Sequence, residues 1–242
     1  MKKLFVVTCL FMIAAASWGQ DVEEVVVTGA RTEEGTAMPG TFLRKTGDYL
    51  LLQVGVTNDT REAQARKDEI YATLRTALAA ANRDGSIELS VIDENDLVIA
   101  LKVDSATVVL RNGDRPDTSA TRISVKTKIP QQSADGQALI SKLKDFVSSI
   151  KVTGRTKLDP DGNVDISIIA PHRYRAEIIS LFAQDAKNIT AALGQDYKIV
   201  ATGIDRPVRW VRMGLLELAL FVPYKFEVLP STVNTFVVAP TG

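Results

Sequence analysis

Three helical stripes, each stopped by a glycine, constrain most strongly what this chain can fold into. From Arg61 the apolar positions fall at Ile70, Leu74, Ala77, Leu78 and Ala81, and Asn82-Arg83-Asp84-Gly85 ends the run. A second stripe begins near Ser133, carries Leu139, Leu143, Phe146, Val147 and Ile150, and is marked off by Gly154. The third covers about Arg173 to Leu193, with Ile178, Phe182, Ala186, Ile189 and Leu193 on one side before Gly194. Spacings of three and four residues put each set on one helix face, and a glycine free to adopt positive φ is a common stop. One-sided helices cannot bury their stripes alone, so they need a sheet or one another.

The strands that could supply that sheet are legible between them. Tyr49 to Thr57 alternates Leu50, Leu52, Val54 and Val56 on one face, the pattern of a half-buried strand. Thr60 then stands as a natural helix N-cap, with Glu62 in the first turn. Strands are expected at Ile87 to Ile92, Leu97 to Val103, Ala106 to Leu110 and Thr121 to Ile129, joined by Asp93 to Asp96 and by Arg111 to Asp114. The Asn112-Gly113 pair suits a hairpin turn with positive φ. Val164 to Ala170, Tyr197 to Thr202 and Leu216 to Leu229 complete the set, and the tail after Pro230 is expected to be loose. Tight turns between short strands imply an antiparallel meander. The fold class is therefore α+β, with three amphipathic helices on one face of a largely antiparallel sheet.

The first 19 residues read as a secretory signal peptide. Lys2 and Lys3 form a basic start, Leu4 to Ala16 an apolar run, and Ser17-Trp18-Gly19 a small-residue cleavage site. A run of roughly 13 residues is too short to cross a bilayer about 30 Å thick. The expected location is the periplasm, soluble or held at the outer membrane, with no transmembrane span in the mature chain. Cys9, the only cysteine, lies within the apolar run, so the mature protein offers no disulfide, thiol chemistry or cysteine metal site. Removing Lys2 and Lys3 from the 29 basic residues leaves 27 against 29 acidic ones, which argues against nucleic acid as a partner. Residues 20–48 divide off as an N-terminal strand and linker, 49–230 as the domain, and 231–242 as a tail.

Glu24 to Arg31, in the stretch DVEEVVVTGARTEEG, resembles the TonB box that opens many TonB-dependent outer-membrane receptors. The resemblance makes Glu24, Val25, Val26, Val27 and Thr28 a candidate TonB-contact strand. A complete receptor is excluded by length: a transporter barrel of about 22 strands at about 9–11 residues each consumes nearly the whole chain before any loop or plug. The order of elements resembles the SIMPL-domain family of secreted bacterial proteins. The matching residues are Val27-Thr28-Gly29, the LLLQVGVTND strand, the helix ending at Leu74 to Gly85, Tyr174-Arg175-Ala176, Gln184-Asp185-Ala186-Lys187 and Ala192-Leu193-Gly194. Ile189 and Thr190 stand where the family usually has Ala, and the basic, Trp-containing loop at Arg206 to Arg212 also departs from it. The resemblance implies a periplasmic or outer-membrane-associated protein, often self-assembling and linked to stress tolerance, with no catalytic residues to carry over.

No constellation in the sequence carries catalysis. His172 is the only histidine, and Pro171-His172-Arg173-Tyr174 reads as the start of a helix; one histidine cannot supply a His-cluster zinc site. Asp159-Pro160-Asp161-Gly162-Asn163 is acidic enough to suggest calcium. Aligning Gly162 with the loop glycine, however, puts Lys157 and Ile168 where carboxylates belong, and a Pro-Asp-Gly turn explains the same residues. Glycine-rich phosphate loops are absent. Arg206, Arg209, Trp210 and Arg212 form the candidate contact surface, since Arg and Trp together favour interfaces. The expectation is a non-enzymatic, structural or self-assembling protein without cofactor or metal, a homo-oligomer with a periplasmic or outer-membrane partner. The alternative is an accessory binding protein for TonB-linked uptake acting through residues 23–31 by strand addition.

Overall fold

A computed structural model describes residues 23–27, 38–113, 115, 117–131 and 135–233; residues 1–19, Thr28 and the tail beyond 233 lie outside them. The described strands are β1 (Glu24–Val27), β2 (Leu43–Thr46), β3 (Tyr49–Asn58), β4 (Ile87–Ile92), β5 (Val98–Ala100), β6 (Arg111–Asn112), β7 (Ser119–Lys128), β8 (Lys157–Ile169), β9 (Tyr197–Thr202), β10 (Arg209–Arg212), β11 (Glu217–Phe221) and β12 (Lys225–Pro230). The helices are α1 (Ala63–Asp84), α2 (Gly136–Ser149) and α3 (Arg175–Leu193), the last preceded by a 3₁₀ turn at Pro171–Tyr174. This is an α+β architecture, and every strand pairing is antiparallel.

The main sheet runs β1-β8-β3-β7-β4-β5, with β6 on β7. It curls until its ends meet. Val25 bridges Leu97, and the Val26 amide donates to the Asp96 carbonyl at 2.9 Å, so β1 has partners on both sides. Leu50, Leu52, Val54 and Val56 face outward into the core formed with Ile70, Leu74 and Ala77 of α1 and Leu143 and Val147 of α2. The opposite face is enclosed by the curl rather than solvated. Leu51 is fully buried there, with Ser90, Ser124 and Ser167 at 0–1 % exposure. Small side chains on that face let the strands close tightly.

Sheet β10-β11-β2 adds Leu218 and Leu220 to the same core. A third sheet, β12-β9, has two strands only. Helix α3 lays Phe182 on it, stacked on Phe226 at 5.1 Å and edge-on to Tyr224 at 4.6 Å. Thus α1 and α2 cover the main sheet as expected, whereas α3 serves the two smaller ones.

Several sequence expectations move. Thr60 is not the cap of α1. Glu62 takes that place, accepting from the Gln64 and Ala65 amides, while the Thr60 hydroxyl donates to Glu69. Ala106 to Leu110 is not a strand; the backbone turns there and pairs only at Arg111–Asn112. Asp159 to Asn163 is the interior of β8, not a turn. Pro160 fits because the pairing with β3 shifts register between Leu52 and Val54, and a proline lacking its amide donor is tolerated at such an irregularity. Leu216 to Leu229 divides into β11 and β12 around Val222, Pro223 and Tyr224. The segment 20–48 supplies β1 and β2, so the sheets draw on residues before Tyr49.

Candidate functional site

The Arg206 to Arg212 group does not form one surface. Arg206 lies in a turn; its carbonyl accepts from the Arg175 guanidinium at 2.5 Å. Arg209 and Trp210 begin β10, so neighbouring side chains project to opposite faces. Arg209 is exposed opposite Phe221, while Trp210 is half-buried against the main core. Arg212 is spent internally, donating to the carbonyls of Val164 at 2.6 Å, Gly214 at 2.9 Å and Leu215 at 3.1 Å. It straps β10 to β8.

The candidate TonB-contact strand is built in as well. Val25, Val26 and Val27 are 3–4 % exposed. Glu24 accepts from the Lys126 ammonium at 2.5 Å and from the Ser167 hydroxyl at 2.5 Å. The same ammonium lies 3.4 Å from Glu88 and 4.1 Å from the centre of the Tyr49 ring. Partial burial and the adjacent Glu88 carboxylate push the Tyr49 hydroxyl up to about 12. This cluster fixes β1 in the sheet. Strand addition through Glu24 to Val27 would first require the strand to leave both neighbours.

His172 is exposed in the 3₁₀ turn. Among the described residues no group of three His, Cys, Asp or Glu side chains could hold a metal ion. None of the described helices is long and apolar enough to cross a membrane.

The most developed polar site lies where β3 ends, beside the starts of β7 and β8. Asn58, 1 % exposed, donates to Glu69 at 2.7 Å and to Thr156 at 3.0 Å, and accepts the Thr60 amide at 2.8 Å. Glu69 of α1 also accepts from the Thr60 hydroxyl at 2.8 Å and the Arg155 amide at 2.9 Å. The hydrogen bond from Asn58, then those from Arg155 and Thr60, hold its carboxyl below the usual range. Gly154 makes that approach feasible: φ is +57°, and a Cβ there would sit 2.1 Å from the Glu69 carboxyl carbon.

Above this network is a cleft of about 200 Å³ lined by Thr57, Asn58, Asp59, Arg115, Thr118, Arg155 and Lys157, among others. Arg155 grips Asp59 with a fork, Nε to Oδ1 at 2.7 Å and Nη2 to Oδ2 at 3.0 Å. That bond, with the Arg155, Lys157 and Arg115 charges, holds the Asp59 carboxyl below its ordinary value. Such a cleft can present cations to an anion. In the sequence Asn58 and Asp59 follow directly on the Tyr49 to Thr57 strand. Thr156, which Asn58 meets, and Arg155, which grips Asp59, lie 98 and 96 positions away, and no local pattern joins them.

The chain matches no known family model, no curated protein and no solved structure.

Proposed function

We propose that this chain is a non-enzymatic protein of the periplasm, SIMPL-like in organisation, that assembles with copies of itself. The observation that carries the reading is the β9-β12 sheet. It has two strands, and among the described residues neither outer edge is paired. Isolated pairs of strands are marginal in water, and open edges invite further strands. Leu193, Tyr197 and Val228 are 38–47 % exposed at the far end of this sheet and of α3. Tyr197 pairs with Pro230 and Val228 with Ile199, so Tyr197 and Val228 are diagonal neighbours on one face. Apolar side chains beside an open edge favour docking of an identical hairpin.

Light scattering after size exclusion tests this directly. The protein is expected to elute as a defined oligomer, and Tyr197→Glu with Val228→Glu to elute as a monomer that keeps the wild-type circular dichroism spectrum. A wild-type monomer at every accessible concentration would overturn the reading.

A further inference from the structure

We propose that the cleft beside Asp59 binds a phosphate group. Among the described residues three cationic side chains, Arg115, Arg155 and Lys157, line it against one carboxylate, Asp59. Donor capacity remains after the internal contacts are met. Arg155 commits its Nε and one Nη2 hydrogen to Asp59, whereas a guanidinium carries five N–H groups. Arg115 approaches Asp59 at 3.5 Å and Asp117 at 3.8 Å, both beyond good hydrogen-bond length. Its side chain is 64 % exposed. Lys157 acts on Asp59 through its charge. In the wall, the Thr118 hydroxyl oxygen is buried without a partner among the described residues.

These features select the ligand class. A lone carboxylate needs one guanidinium fork, and Asp59 already fills that role. An anion spanning Arg115, Arg155 and Lys157 must present several oxygens and more than one charge, which a phosphate does. The volume of about 200 Å³ accommodates a phosphate with a few waters at ~30 Å³ each. The site is also held rigidly. Asn58 and the Arg155 backbone are tied to Glu69, and Thr156 to Asn58, and a fixed supporting shell keeps binding groups in register. Inorganic phosphate and a phospholipid headgroup share this chemistry.

Amide NMR during titration with sodium phosphate at constant ionic strength provides the test. Saturable shifts are expected at Thr57, Gly113, Thr118 and Ala120, with Arg115→Gln plus Lys157→Gln raising Kd at least tenfold and leaving the melting temperature unchanged. Asp59→Asn is expected to lower Kd, because it removes the competing charge. Flotation with phosphatidylglycerol vesicles separates the sources. Lipid binding lost in the double variant assigns the site to a headgroup, whereas phosphate binding without flotation assigns it to the soluble ion. Shifts matched by sodium chloride, or a Kd unchanged in the double variant, would overturn the proposal.

Discussion

Asn58 is the sharpest place to perturb the molecule, because the outcome depends on which atom replaces its amide nitrogen. In Asn58→Ala three hydrogen bonds disappear: those donated to Glu69 and Thr156 and that accepted from the Thr60 amide. At about 1 kcal/mol net for each bond, the loss is about 3 kcal/mol. For a chain of this size that lowers the melting temperature by roughly 6–12 °C. Asn58→Asp keeps the shape but puts an oxygen where the Nδ2 donor sits 2.7 Å from Glu69 Oε2. Two carboxylates at that separation cannot both remain ionised without cost, so Asp is expected to be worse than Ala at neutral pH. The sign of the pH dependence follows. The Glu69 carboxyl is held below its unfolded value in the wild type, so its contribution is complete above that value and lost as pH falls through the folded one. In Asn58→Asp the repulsion is relieved by protonation, so the gap to Asn58→Ala closes on acidification. Urea unfolding of the three proteins at neutral and mildly acidic pH measures this. An Asp variant as stable as the Ala variant at neutral pH would refute the reading of this network.

Two further perturbations address the inside of the curled sheet. Lys126→Ala leaves the Glu24 carboxylate, 11 % exposed, without its cation, and a broken buried pair costs about 3–5 kcal/mol. Lys126→Met with Glu24→Gln is expected to recover most of the loss in the same urea experiment, and a double variant no better than the single one would count against the pairing. Alkaline titration followed by phenolate absorbance should show a late step at about 12, which belongs to Tyr49. Its folded value lies above the unfolded value of about 10, so its contribution to stability is intact below that pH and lost as pH rises toward 12. Tyr49→Phe should abolish the last step; a step that survives the substitution belongs to another residue.

Local rules worked where the chain obeys them. Gly85 closes α1 at φ +72°, as the stop after Ala81 predicts, and the Tyr49 to Thr57 alternation does aim Leu50, Leu52, Val54 and Val56 at the helices. Leu51 shows the limit. Nothing in its neighbours tells that the other face is enclosed, because enclosure depends on β1 meeting Leu97 across the sheet. Pro160 and Gly162 carry strong turn chemistry, yet β3 pairs with Pro160 and Val164 on either side of Gly162, and the turn is reduced to an irregularity within β8. The cationic cleft was invisible for a similar reason: Asp59, Arg115 and Arg155 sit in three separate segments, each an ordinary polar connection when read alone. By contrast, the Arg206 to Arg212 run was conspicuous and proved to be divided, with Arg212 consumed by three backbone carbonyls.

The two-sided placement of β1 has a kinetic consequence. Glu24 and Ser167 are 143 positions apart, so the earliest described strand finds its partner only after nearly all the intervening chain has been made. Closing so long a loop is entropically slow. Until it closes, β8 and the β4-β5 turn both present unpaired backbone, and Lys126 lies open to water. A nascent or refolding chain therefore passes through a stage in which two sticky edges await one short strand. A chaperone or a neighbouring copy that meets the protein then sees a different surface from the one the finished molecule offers.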